Sequence, residues 1–293
     1  MRWNHRASRS LVSSVSLVTV ALLSACGDSG EAAVPAATPA DDPATAAASP
    51  GASDSATAEP SDEAAAAVAG DVTVFAAASL TDTFTQLGEE FMAANPDATV
   101  VFNFAGSSAL ATQINEGAPA DVFAAASPAT MQTVVDAGGA TGGPTVFVRN
   151  TLQIAVPPDN PGGITGLVDF TDQARTIALC AVEAPCGAAS ATVFEAAGLT
   201  PAPDTLEQDV RAALSKVELG EVDAALVYRT DVVAAGDAVT GIDFPESGEA
   251  VNEYPLAVLA EAPDPGAAQA FVDYVLSPDG QVVLEGAGFA QPG

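Results

Sequence analysis

Two serines in the first half of the chain each follow an apolar segment and precede an amphipathic one. Ser79 lies in VTVFAAASL at residues 72–80, and Ser107 lies in VVFNFAGSSAL at residues 100–110. A strand that runs into a helix at such a point leaves backbone N–H groups unpaired, with the positive end of the helix dipole behind them. Serine hydroxyls beside these N–H groups make a site that favours an anion. Alternatively, each serine serves only as a helix N-cap.

The N-terminus has the features of an export signal. Arg2, Arg6 and Arg9 precede an apolar run over residues 11–25, which is too short to span a bilayer unaided. The run ends in Leu23-Ser24-Ala25-Cys26, which resembles a bacterial lipobox. We therefore expect residues 1–25 to be a lipoprotein signal peptide and Cys26 to be acylated. A plain signal peptide followed by a chance cysteine is the alternative.

Residues 26–70 have the composition of a flexible tether. They are rich in Ala, Pro, Ser, Thr and acidic residues and contain no Phe, Tyr, Trp, Ile or Leu. Such a segment buries too little apolar surface to offset the entropy lost on ordering. We expect a disordered linker that anchors an exported domain, residues 71–293, to the outer face of the cytoplasmic membrane.

Strands and helices alternate along residues 71–293. The apolar patterns predict strands over residues 72–77, 99–104, 121–126, 151–157, 176–181, 223–228 and 254–260. They predict helices after residue 80, around residues 110–114, from about residue 127, after Gly187, around residues 210–217 and over about residues 265–276. Apolar strands that are each followed by a helix indicate sheets covered on both faces. The predicted class is α/β, with two lobes and a cleft between them.

Composition excludes several classes of function. Residues 71–293 carry 30 acidic side chains against five basic ones, a net charge of −25, and have no basic cluster that could hold nucleic acid. The only histidine, His5, lies in the signal segment, so Ser-His-Asp and Cys-His systems are absent. The sequence has no GxSxG, GxxxxGK[ST] or strand-linked GxGxxG. We therefore expect no enzyme activity, no catalytic residue and no cofactor.

A set of strings in order resembles one family of binding proteins. FAAASLTD, FAGSSALATQINEGAPADVFAAAS, EQDVRAAL, ALVYRTD and EYPLAVL are similar to the molybdate-binding proteins of bacterial ABC importers, and the similarity covers essentially all of residues 71–293. The resemblance implies a type II periplasmic-binding fold, with mostly parallel sheets and two chain crossovers. Lobe 1 would contain residues 71–149 and 244–293, and lobe 2 residues 150–243. A monomer would close on molybdate or tungstate and pass it to a membrane permease driven by an ATPase.

The resemblance also implies which residues hold the oxyanion. The family's hydroxyl donors fall on Ser79, Ser107 and Tyr228, and its backbone N–H donors fall on Cys186 and Val210. The metal would be bound only as the oxyanion, through these five residues. Gly106 departs from the family, in which serine is common at this position. Cys186 stands where alanine is common, which need not harm binding because the donor is the N–H group.

Alternatives remain for several of these residues. Tyr228 at a strand end could instead be a core tyrosine with its hydroxyl in water. Arg211 and Arg229 lie beside proposed ligand positions, but we expect them to form inter-lobe or surface ion pairs. Cys180 and Cys186, six positions apart in an exported domain, are expected to form a short disulfide, with two free buried thiols as the alternative. A zinc site lacks further ligands.

Two other functions stay open from the sequence. The protein could bind another tetrahedral oxyanion, such as sulfate or phosphate. It could also be a surface lipoprotein that has no part in transport.

Overall fold

The computed structural model describes residues 68–293. The predicted signal peptide, the lipidated Cys26 and nearly all of the predicted linker lie outside these residues. The first strand begins at Ala69, two residues before the predicted domain boundary at residue 71. No helix within residues 68–293 has the length and apolar character needed to cross a membrane.

Ten strands and eight α-helices make up the described part of the chain. The strands are β1 (Ala69–Ala77), β2 (Asp97–Ala105), β3 (Val122–Ala124), β4 (Thr145–Asn150), β5 (Leu152–Val156), β6 (Ile177–Cys180), β7 (Thr205–Glu207), β8 (Ala224–Tyr228), β9 (Thr240–Ile242) and β10 (Asn252–Val258). The helices are α1 (Thr81–Ala94), α2 (Ser107–Asn115), α3 (Pro128–Asp136), α4 (Pro185–Ala197), α5 (Val210–Glu218), α6 (Arg229–Ala235), α7 (Pro265–Leu276) and α8 (Pro278–Gly286). Short 3-10 helices include Ala78–Leu80, between β1 and α1.

The strands form two five-stranded sheets of the same design. The orders are β2-β1-β3-β10-β4 and β7-β6-β8-β5-β9. In each sheet the fourth strand is antiparallel to both of its neighbours, so the other four strands run in one direction. The chain passes between the sheets twice, from β4 to β5 and from β9 to β10. The predicted α/β class with two mostly parallel sheets is confirmed.

Both sheets are covered by apolar side chains of the flanking helices. On one face of the first sheet, the rings of Phe84, Phe91, Phe147 and Phe271 are fully or almost fully buried and contact one another edge to face or tilted. The other face packs a separate cluster that includes Leu110 of α2. The second sheet has its own core. Because each sheet has its own core, the ends of its strands are held in place within that half of the structure.

The start of α4 differs from the prediction. The helix was expected after Gly187 but begins at Pro185, because proline at the first helical position is already set to the helical φ. Gly187 lies inside the helix for a packing reason. A Cβ atom at this position would lie 1.9 Å from the carbonyl oxygen of Ala181, so only glycine allows the helix to approach the end of β6 so closely.

Candidate anion-binding site

A small pocket lies where helix starts from both sheets meet. Its cavity volume is about 20 Å³, far below the roughly 300–1,000 Å³ of pockets that hold drug-sized ligands. The lining residues are Ala77, Ala78, Ser79, Gly106, Ser107, Ala126, Ala184, Pro185, Cys186, Asp209, Val210 and Tyr228. The structure thus brings all five sequence-predicted ligand residues to one pocket, and its size suits a small ion.

Ser79 lies in the 3-10 helix that follows β1. Its Oγ is 2.9 Å from the hydroxyl oxygen of Tyr254, and either group can donate. The side chain caps neither the 3-10 helix nor α1. The N-cap alternative therefore fails for Ser79.

Ser107 is the first residue of α2, and its side chain also does not cap the helix. Its Oγ accepts a hydrogen bond from the backbone N–H of Ala126 at 3.0 Å. Since a backbone N–H can only donate, the hydrogen of the Ser107 hydroxyl is left for another acceptor. Ser107 lines the pocket, so an anion bound there can accept this hydrogen.

Cys186 and Val210 supply unused backbone donors. Each lies in the first turn of its helix, α4 or α5, where N–H groups lack partners within the helix. Among residues 68–293, no acceptor takes the N–H of either residue. Asp209 caps α5 by accepting from the N–H of Ala212 at 3.0 Å and leaves the Val210 N–H free.

A disulfide braces the first turn of α4. The sulfur atoms of Cys180, at the end of β6, and Cys186 lie 2.08 Å apart. The bond ties a pocket-lining residue to the second sheet. The alternative of two free thiols does not describe this structure.

Tyr228 ends β8 and is almost completely buried. Its hydroxyl oxygen accepts from the side-chain amide of Asn252 at 3.0 Å, so it is not the water-exposed hydroxyl of the alternative interpretation. Burial raises the pKa of Tyr228 well above its usual value. The hydroxyl therefore keeps its hydrogen at neutral pH and can act as a donor.

No basic side chain lines the pocket in the described part of the chain, and Asp209 is its one charged lining residue. Arg211 forms an ion pair with Asp82 of α1, which links the second sheet's helices to the first sheet's helices. The other side of its guanidinium is 3.9 Å from the buried Asp231 carboxylate. Arg211 thus forms the expected inter-lobe ion pair. Arg229 is exposed and has no ion-pair partner among residues 68–293, contrary to the prediction.

Asp231 sits behind the pocket in α6. One carboxylate oxygen accepts from the N–H of Tyr228 at 3.0 Å, and the other has no hydrogen-bond partner. Burial raises the pKa of the Asp231 carboxyl to about 7, although nearby Arg211 acts in the opposite direction. The group is therefore partly protonated near neutral pH, which limits the negative charge behind the pocket.

At Gly106 the two halves of the structure approach each other closely beside the pocket. A Cβ atom at this position would lie 2.6 Å from the carbonyl oxygen of Gln208, just before α5. Its φ of −58° is open to any residue, so the glycine is needed for space alone. Next to it, the Ser108 hydroxyl donates to the carbonyl of Glu183 at 2.5 Å. These contacts close the pocket on one side.

Three residues that hold the donors in place were missed in the sequence, Ala126 in the pocket lining and Asn252 and Tyr254 behind it. Tyr254 meets Ser79, Asn252 meets Tyr228, and Ala126 meets both Ser107 and Asn252. Ala126 and Tyr254 lie inside the strings that carry the family resemblance, which was a usable signal. Asn252 lies just before EYPLAVL and had none.

Comparison with known proteins gives a consistent relationship. The family described as bacterial extracellular solute-binding protein matches residues 72–290. The molybdate-binding protein ModA of Mycobacterium tuberculosis is 42% identical over 224 residues, which cover 76% of this chain and 86% of the relative. The putative ABC transporter substrate-binding lipoprotein YvgL of Bacillus subtilis is 29% identical, over 74% of this chain and 85% of the relative.

A solved structure supports the same fold. The periplasmic molybdate-binding protein of Azotobacter vinelandii superimposes with a TM-score of 0.65 at 20% identity, covering 76% of this chain and 100% of that chain. These relatives are solute-binding proteins and not enzymes. The chain belongs to the bacterial extracellular solute-binding proteins and, within them, to the family of molybdate-binding proteins.

Proposed function

We propose that this protein captures molybdate, or tungstate of the same shape and charge, and delivers it to an ABC importer. The observation that carries the proposal is the convergence of three hydroxyls and two unused backbone N–H groups on one small pocket with no basic lining residue. The pocket belongs to a chain that is 42% identical to a relative named for molybdate binding.

In this proposal the hydroxyls of Ser79, Ser107 and Tyr228 and the N–H groups of Cys186 and Val210 donate to the oxyanion. An anion enclosed in a cleft loses its hydration, so its oxygens need donors from the protein. Hydrogen bonds to a charged partner contribute about 1.5–3 kcal/mol each, so five contribute on the order of 7–15 kcal/mol. That range reaches micromolar to nanomolar affinity, at about 8–12 kcal/mol.

Titration calorimetry with a panel of oxyanions tests the ligand. Molybdate and tungstate should bind, whereas sulfate and phosphate should bind weakly or not at all. Tighter binding of sulfate or phosphate would assign the site to the other tetrahedral oxyanions. If none of the anions releases heat or raises the melting temperature, the non-transport alternative is favoured.

Substitution of the donors tests the site. Ser79→Ala, Ser107→Ala and Tyr228→Phe should each lose about 1–3 kcal/mol of binding free energy, because each leaves one ligand oxygen without a donor. Tyr274→Phe is a matched control, since the Tyr274 hydroxyl bonds Glu90 at the surface. Wild-type affinity in all three donor variants would remove these residues from the site.

We further propose that the mature protein is a monomer held at the outer face of the cytoplasmic membrane by a lipid on Cys26, where it meets its permease and ATPase. The relative named as a lipoprotein supports the anchor. Mass spectrometry of the mature N-terminal peptide should find an acylated Cys26, and a Cys26→Ala variant should not be membrane-bound. An unmodified mature N-terminus at another residue would contradict the anchor.

A further inference from the structure

Asn252 occupies an unusual position behind the pocket. It is 8% exposed and begins β10, next to the second passage of the chain between the sheets. Its amide nitrogen donates to the carbonyl oxygen of Ala126 at 2.8 Å and to the hydroxyl oxygen of Tyr228 at 3.0 Å. It therefore joins the end of the first sheet to a pocket hydroxyl carried by the second.

The direction of these two bonds is fixed by chemistry. A carbonyl oxygen can only accept, so the group that faces Ala126 must be the NH₂ of Asn252 and not its oxygen. The flipped amide would place two acceptors against each other. Because that same NH₂ cannot accept, the Tyr228 hydroxyl must accept from it.

A tyrosine hydroxyl that accepts one bond keeps its own hydrogen for another partner. Two acceptors are in reach of that hydrogen: the hydroxyl oxygen of the neighbouring Tyr254, and an anion in the pocket that Tyr228 lines. The same polarity holds at Ser107, whose oxygen accepts from the Ala126 N–H. The backbone of Ala126 and the amide of Asn252 therefore leave two pocket hydroxyls as donors, Ser107 through the Ala126 N–H and Tyr228 through the Asn252 NH₂ that the Ala126 carbonyl holds in place.

We propose that Asn252 is a positioning residue for the bound anion, because it holds the Tyr228 hydroxyl in the orientation that donates into the pocket. An oxyanion without protons offers only acceptors, so a hydroxyl turned the wrong way presents its oxygen to the anion and repels it. Asn252 needs no contact with the ligand for this role. This role rests on the proposed function in one respect, that the ligand is an oxyanion without protons.

A double-mutant cycle tests the role. Molybdate affinity is measured by calorimetry for the wild type, Asn252→Ala, Tyr228→Phe and the double variant. Tyr228→Phe should weaken binding about 5- to 150-fold, because one ligand oxygen loses its donor. Asn252→Ala should weaken binding in the wild type but change it less than about twofold in the Tyr228→Phe background.

Two further variants sharpen the cycle. Asn252→Asp is close in size, but its ionised carboxylate can only accept, so it should draw the Tyr228 hydrogen away and weaken binding more than Asn252→Ala. Asn103→Ala is the matched control, because the Asn103 amide bonds Gln113 at the surface. Its affinity should equal that of the wild type.

The outcomes separate this inference from the proposed function. If the wild type binds molybdate and the Asn252 and Tyr228 effects add, the positioning role is wrong and the proposed function stands. If the wild type binds none of the oxyanions, the proposed function fails. In that case the same four variants are compared by their free energy of unfolding without ligand. If the effects of Asn252→Ala and Tyr228→Phe on this free energy are additive, the two side chains do not interact and the positioning role is wrong. Failure of Asn252→Ala to fold leaves Asn252→Asp to complete both cycles.

Discussion

The close approach at Gly106 predicts a variant that weakens binding without weakening the fold. In Gly106→Ala the added Cβ would lie 2.6 Å from the Gln208 carbonyl oxygen and 3.3 Å from the Asp209 Cβ. Favourable contacts between carbon atoms lie at about 3.5–4.0 Å, so the backbones on the two sides must separate by several tenths of an ångström. Because they belong to different halves of the pocket, opening the cleft relieves the contact.

The expected magnitude follows from the cost of overpacking, about 1–3 kcal/mol. If that cost falls on the closed, ligand-bound state, affinity drops about 5- to 150-fold. The unfolding free energy without ligand should change by less than about 1 kcal/mol, the small effect of alanine at a helix N-cap.

Calorimetry with molybdate and small-angle scattering check this prediction together. At saturating ligand, the radius of gyration of Gly106→Ala should remain larger than that of the wild type. Gly143→Ala is the matched control, because no atom lies within 4 Å of a Cβ at that position. Gly106→Ser restores an N-cap residue with the same Cβ, so it separates crowding from capping. Wild-type affinity and closure in Gly106→Ala would refute the reasoning.

Three other measurements address the disulfide, the buried carboxyl and the acidic surface. A Cys26→Ala variant, prepared under oxidising conditions and then unfolded, should show no free thiol at Cys180 or Cys186, and two titrating thiols would contradict the disulfide. Reduction of the bond should lower the free energy of unfolding by about 2 kcal/mol, the low end of the usual range because the closed loop is short. Since burial raises the pKa of Asp231 to about 7 in the folded state, the proton it retains stabilises the fold at low pH, and this contribution is lost as pH rises from about 4 to about 7. Between about pH 5 and pH 8, the melting temperature of Asp231→Asn should therefore fall less than that of the wild type. Asp237 is exposed, so Asp237→Asn should show the same fall as the wild type. An equal fall in Asp231→Asn and the wild type would contradict the raised pKa of Asp231. Finally, the net charge of −25 over residues 71–293 repels a dianion, and the Debye length falls from about 30 Å at 0.01 M salt to about 8 Å at 0.15 M. Stopped-flow association rates should rise with added chloride, and a fall would place a positive potential, from Arg211 or Arg229, at the cleft mouth.

Part of the site could be predicted from a local rule. Ser79 and Ser107 each follow an apolar strand and precede an amphipathic helix, a pattern that favours an anion at the helix start. Cys186, Val210 and Tyr228 were placed by the family resemblance, because a residue at a helix start or a strand end does not by itself indicate a ligand. The strands that position these residues are local features, since each is an apolar run with turn residues at its ends.

The contacts that hold the donors in place could not be predicted, because they join segments far apart in the sequence. Asn252 contacts Ala126, which is 126 positions away, and Tyr254 contacts Ser79 across 175 positions. No local pattern encodes such pairs, because they depend on how β10 is placed in the first sheet. Gly106 and Gly187 were likewise not explained by the sequence, since their need for glycine arises from carbonyl oxygens of other segments.

The place of β10 in the first sheet also constrains the order in which the protein can assemble. The chain is synthesised from its N-terminus, yet β10 lies between β3 and β4, and β4 pairs with no other strand of that sheet in the described residues. The second sheet is continuous in sequence from Leu152 to Ile242 and can be completed earlier. Pairing β3 with β10 closes a loop of well over a hundred residues, a slow step for a folding chain. The half that contains Ser79 and Ser107 must therefore wait for the last segments to emerge, and a chain cut short before Asn252 would expose an open sheet edge prone to aggregation.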